Sequence, residues 1–280
     1  MPRLSILRKA LRDLRWQVFW YGAGLALMAV LVVYVYPGYS AQLKDFQIPE
    51  ALRGLVGDVD LATGKGFISA EVFSWYPLIL VVFAIMAGTA AVAGEEEAGT
   101  LDLVLSYPVS RSRFLLEKLA ALLLALLGIC ALIYAGWLVS VPFVDIDVGL
   151  GELAVATLNF VPLIAFFQVF SLWAGVTLPT RGLATGAAAA LAVPSYFINY
   201  IATTVEAMEP LRVVSVFYHY HGTDVLTRGV HWGSLALLCG LYFAFAGWAL
   251  VSFQRRDLGV GATPLRLPAW PFRRPAEATK

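Results

Sequence analysis

Charge is what this chain has least of. Asp, Glu, Lys and Arg make up 14% of its 280 residues against 60% apolar ones, and the formal net charge is +1. A soluble domain carries about a quarter charged residues, so this composition belongs to a protein whose solvent is lipid. A near-neutral balance offers no basic stripe for a phosphate backbone, which sets nucleic acid aside as a partner. Cysteine is equally scarce. Cys130 and Cys239 each sit inside an apolar run and read as packing residues rather than as ligands or a disulfide.

Two further absences narrow the function. No Asp, Glu, Lys, Arg or His stands in the middle of any long apolar run, although ion-coupled transporters keep such groups there to carry the coupling ion. Any uphill work must therefore draw its energy from outside the membrane. The chain also lacks a phosphate-cradling loop of its own. Its one Gly-Lys pair, Gly64-Lys65, has Val59 where the first glycine of GxxxxGK[ST] belongs and Gly66 where Ser or Thr belongs.

What is present is a succession of apolar runs. Spans are expected at about 17–36, 74–93, 114–141, 153–178, 183–205 and 232–253, each near the ~20 residues that a ~30 Å hydrocarbon layer requires. Together they form one membrane domain over residues 1–258, followed by a loose Pro- and Arg-rich tail at 259–280. Before the first span, Leu4, Leu7, Leu11 and Leu14 share a helical stripe opposite Arg8, Lys9, Arg12 and Arg15, the pattern of an interfacial helix on anionic lipid. Trp16 and Trp20 mark one interface and Tyr34, Tyr36 and Tyr39 the other. A short helix is expected at Pro49–Val56, and Pro162 should kink the fourth span. On the fifth, Gly182, Gly186 and Ala190 recur every four residues, leaving a bare face for another backbone, within the chain or on a second subunit. Asn159, Gln168 and Asn199 can hold helices together or line a path.

Lysines and arginines divide by side. The termini, the turn between the second and third spans and Arg181 hold 15, and the opposite loops hold five, so the positive-inside rule puts both termini in the cytoplasm.

The stretch between the second and third spans carries most of the functional information. It reads GEEEAGTLDLVLSYPVSRSR, from Gly94 to Arg113. After Gly99, Thr100 can cap a short helix by accepting an N–H from its first turn, and Pro108 ends that helix. Leu101, Val104 and Leu105 fall on one face, with Asp102 off it. The residues alone allow a docking peg, or a solvated turn whose charges stop the spans.

This run, followed at once by FLLEKLAALLLALL, resembles the signature of permease subunits of type 2 ATP-binding cassette exporters. The resemblance implies an all-α membrane protein of six transmembrane helices, an N-terminal interfacial helix and a cytoplasmic coupling helix between helices 2 and 3. It also implies a cell-membrane location in a prokaryote, a cytoplasmic ATPase subunit that uses ATP and Mg while this chain binds no cofactor itself, and pairing with a second permease copy or a paralogue. By the same resemblance, ATPase coupling falls to Glu95, Glu96, Glu97, Gly99, Thr100, Leu101, Asp102, Val104, Leu105, Pro108, Arg111 and Arg113. Leu101, Val104 and Leu105 would lie in the ATPase cleft. Gly182, Gly186, Ala190 and Asn199 would pack helices or line the path. The segment Val214–Leu226 is similar to a Ser-Pro-Phe, aromatic, Asp-Pro-Leu pattern of these permeases, with Val216 and Val225 where proline is common. The glutamates would oppose the dipole at the end of the second span, and Arg111, Arg113 or basic residues of the ATPase would offset that.

Two other readings stand beside this one. A membrane-embedded metal hydrolase would need Glu95–Glu97 and His219, His221 and His231 around one ion at ~2 Å, yet the topology separates them by ~30 Å of hydrocarbon. A non-transporting scaffold that recruits a cytoplasmic partner would share the same hairpin.

Overall fold

The computed structural model describes residues 5–43, 60–101 and 109–256. The expected helix at Pro49–Val56, the tail at 259–280 and the hairpin residues Asp102, Val104, Leu105 and Pro108 lie outside the described residues. Six long helical segments run through the described part: α1 Ser5–Leu43, α2 Gly64–Glu97, α3 Arg111–Ser140, α4 Leu150–Thr177, α5 Arg181–Thr204 and α6 Trp232–Arg255. There is no strand among the described residues. The protein is an all-α membrane protein.

Local chemistry sets the boundaries. Thr63, Ser110 and Thr180 occupy the N-caps of α2, α3 and α5, where their hydroxyls accept from Gly66, Arg113 and Leu183 N–H groups at 3.1, 3.3 and 3.2 Å. In α4 the break falls at Asn159, between Leu150–Leu158 and Phe160–Thr177. Pro162 cannot donate to the Leu158 carbonyl, so the helix restarts where that bond would have been. Two π-helical stretches interrupt α2, at Ser69–Phe73 and Ala90–Gly94, the second directly before the glutamates.

The N-terminus departs from expectation. Among the described residues no break separates an interfacial helix from the first span, because nothing in Ser5–Tyr21 can stop a helix: neither glycine nor proline occurs there. Instead α1 runs unbroken for 39 residues, roughly 58 Å at 1.5 Å per residue. Ile6 and Ala10 are buried against the bundle. Along α1 the exposed Trp16 and Trp20 sit near one end and the exposed Tyr34 and Tyr39 near the other, about 27 Å apart from Trp16 to Tyr34.

Helix directions can be read from the contacts. Leu7 meets Glu117, Val18 meets Gly128, Gly22 meets Leu132 and Ala26 meets Gly136, always 110 residues apart, so α1 and α3 run parallel and in register. At Gly136 a Cβ would stand 2.8 Å from the Ala26 carbonyl oxygen, so only glycine lets the two backbones come this close. Likewise Phe73 stacks on Phe160, Gly88 lies against the Gln168 carbonyl and Ala93 against Gly175, which makes α2 and α4 parallel. Phe166 with Phe245 and Trp173 with Trp248 align α6 with α4. The first, third and fifth helices thus point one way and the second, fourth and sixth the other. Five of the segments are long and apolar enough to cross a membrane. At 24 residues α5 has the length, but Tyr196, Asn199, Tyr200 and the Thr203-Thr204 pair leave it less apolar.

Polar side chains inside the bundle act as glue. Gln168 donates to the Leu122 carbonyl at 3.1 Å, Asn159 to the Tyr220 carbonyl at 2.9 Å and Trp137 to the Thr157 hydroxyl at 3.2 Å, each joining segments far apart in sequence.

Candidate functional site

All six long helices have one end beside Glu95-Glu96-Glu97. The three carboxylates terminate α2, where the helix dipole alone would disfavour them. Each is matched from within the chain. Glu95 is buried and accepts from Lys118 of α3 at 2.6 Å and from Lys9 of α1 at 2.8 Å. Glu96 pairs with Arg256 at the end of α6, and Arg256 also donates to the Val176 carbonyl that ends α4. Glu97 accepts from the Arg181 backbone N–H at 3.1 Å, at the positive end of the α5 dipole. A fourth carboxylate, Glu117 of α3, accepts from the Leu7 N–H in the first turn of α1 at 3.0 Å.

Arg111 and Arg113 therefore do not offset the glutamates, as the sequence suggested. Arg111 reaches the other way, donating to the carbonyls of Phe253, Gln254 and Arg256 and so satisfying the orphan acceptors at the end of α6. Arg113 pairs with Glu117 one turn on, at 2.8 Å. Nothing in the local sequence marks Lys9, Lys118, Glu117, Arg181 or Arg256 as partners of this cluster. Lys118 carried a signal, since a lysine just inside an apolar run needs a counter-charge, but nothing local says which acid supplies it.

From the glutamates the chain enters the hairpin. Gly99 has φ of 65°, which turns the chain sharply off α2, and the Thr100 hydroxyl donates back to the Glu95 carbonyl at 3.2 Å. Its expected role as acceptor for the next turn concerns N–H groups outside the described residues. Leu101 is buried, 2% exposed, in the same core as Phe114. The side chain thus has apolar surroundings within the chain, at the root of the hairpin.

A cavity of about 300 Å³ lies beside the cluster, lined by Lys9, Asp13, Glu95, Lys118, Arg181 and the small residues of α2. On α5, Ala184, Ala188 and Ala192 are the buried face, while Gly182, Gly186 and Ala190 point away with nothing within 4 Å of either glycine. The bare face is not spent on packing within the chain. Asn199 accepts from Arg212 at 3.2 Å and holds the following loop.

His221 and His231 lie at the opposite ends of α5 and α6 from the glutamates. Those helices have 24 residues each, roughly 36 Å, so glutamates and histidines cannot share one ion. Burial, with His231 beside it, pushes His221 down to about 4.

A family model described as ABC-2 family transporter protein matches residues 4–258. No curated protein matches the chain. The match takes in the alternating bundle, the glutamate cluster and the hairpin root together, and the chain accordingly belongs to the ABC-2 transporter family, as a permease subunit of an ATP-binding cassette transporter.

Proposed function

We propose that this chain is the membrane half of an exporter driven by a separate ATPase subunit that docks on the hairpin following Glu95–Glu97. The observation that carries this reading is the set of ties at the hairpin root. Glu95, Glu96 and Glu97 join α2 to α1, α3, α5 and α6, so a force applied to the hairpin reaches almost every helix end at once. Such a cluster converts a local push into movement of the whole bundle end, which is what coupling to a remote ATPase demands.

In this reading the ATPase uses ATP and Mg, and the hairpin supplies the contact. By their spacing in the sequence, Val104 and Leu105 would share the face that meets the ATPase, with Asp102 off it and Pro108 ending the helix. The positive-inside count places this end, with both termini, in the cytoplasm. A second permease copy or paralogue would sit against α5, where Gly182, Gly186, Ala190, Val193, Phe197 and Ile201 form one exposed stripe along the helix.

Reconstitution tests the reading. Vesicles that contain the permease should bind the cognate ATPase and change its hydrolysis rate, and Mg-ATP should drive export of substrate. A scaffold would retain the ATPase with hydrolysis unchanged and nothing moved.

A further inference from the structure

The bundle end away from the glutamates carries a second polar cluster that coupling does not use. His221 follows the 3-10 turn Phe217–Tyr220 with φ of 46°, a left-handed conformation that reverses the chain and lays its ring over the start of α6. The ring stacks on His231, with centroids 4.2 Å apart and planes 23° apart, and its Nε2 lies 3.1 Å from the Ser234 hydroxyl. Asp224 sits at the N-cap of the single helical turn Val225–Arg228, yet its carboxylate makes no capping bond. One ligand atom from each of His221, Asp224 and His231 lies within 4.8 Å of the other two.

Ring stacking alone would account for the two imidazoles as a surface pair. It does not account for a carboxylate that leaves its cap free and falls in the same small sphere. Two imidazoles and a carboxylate are the donor types of three-ligand zinc sites, in which water completes a tetrahedron. Ligands at ~2.0–2.2 Å from one ion stand roughly 3.3–3.6 Å apart, a closure from 4.8 Å that side-chain rotation can supply. If Nε2 of His221 donates to Ser234, Nδ1 is the nitrogen left for a cation, and Ser234 orients the ring from behind.

We propose that His221, Asp224 and His231 bind a divalent cation of the zinc, nickel and cobalt class, zinc foremost. The ion would join the two ends of the loop that leads into α6. Neighbouring groups are otherwise engaged. His219 is turned to the Val213 carbonyl at 3.0 Å, and Arg212 to Asn199 and the face of Tyr218.

The experiment uses the full chain in detergent with any polyhistidine tag removed. Zinc should bind at one equivalent per chain, and cobalt should give the visible absorption of a four- or five-coordinate centre. Affinity should fall by about 10–100-fold or more in His231→Ala and in Asp224→Asn, since even outer partners of such sites are worth that much. His219→Ala should bind as the parent does. The proposal is overturned by absence of zinc binding, by a purely six-coordinate cobalt spectrum, by undiminished affinity in either ligand variant, or by equal loss in His219→Ala. The cobalt spectrum is read on the unaltered chain, so it decides the matter even if a variant fails to fold.

Discussion

Lys118 and Glu95 are both buried, with side chains 6% and 10% exposed, whereas Lys9 is open to solvent. Breaking such a pair from one side strands the other charge in the interior, at about 3–5 kcal/mol, while removing both charges often costs little. Glu95→Gln should therefore lower the thermal unfolding midpoint of the purified permease sharply. Adding Lys118→Met to it should restore much of the loss, and a double variant less stable than Glu95→Gln alone would show that the pair is not what holds the two helices. Glu96→Lys is a milder change. The Glu96–Arg256 pair is partly exposed, and such pairs are worth ~0–1 kcal/mol, so its effect should be small and should shrink in salt. The sequence shows that Glu95 to Glu97 matter by their place between two spans. It does not show their partners, because Lys9, Lys118 and Arg256 come from residues 86, 23 and 160 positions away. Proximity in the chain pointed to Arg111 and Arg113, and the fold gave those other work.

Helix existence was legible because apolar length is a strong signal, whereas the starts of α3 and α5 fall ahead of the expected spans, where Ser110 and Thr180 cap them. Continuity was harder to see. A stripe of leucines opposite arginines describes an interfacial helix and the first turns of a long packed helix equally well, and only the Lys9 and Leu7 contacts decide between them. The small-residue helices illustrate a second ambiguity. Gly136 and Gly186 look alike in sequence, yet one faces Ala26 at backbone distance and the other faces nothing. Gly136→Val should push α1 off α3 and cut the yield of folded permease, since its Cβ meets a carbonyl rather than a flexible side chain. Gly186→Leu should leave the single chain folded and thermally stable but reduce pairing of permeases, read by cross-linking or by size in detergent. Normal pairing in that variant would remove the α5 stripe as the subunit contact.

Across the whole molecule, alternation of helix direction gathers the helix ends into two layers, one around the glutamates and one around the histidine loops. Cysteine labelling in intact cells should find Ser106 protected and Thr223 reactive, and reactive Ser106 would reverse the orientation and take the docking assignment with it. The decisive measurement is retention of the ATPase when the apolar residues of the hairpin are charged. Leu101 is part of the core, so Leu101→Asp should simply misfold; Val104 and Leu105 are the residues to change. With Val104→Asp and Leu105→Asp together, apolar area worth about 25 cal/mol per Å² at the contact is lost while the bundle keeps its ties. The permease should still insert, elute as the parent does and keep its unfolding midpoint, but co-purify at least tenfold less ATPase and no longer alter its hydrolysis. Full retention with unchanged hydrolysis in that folded variant would mean that the ATPase docks elsewhere and that the glutamate-bound hairpin is not the coupling element.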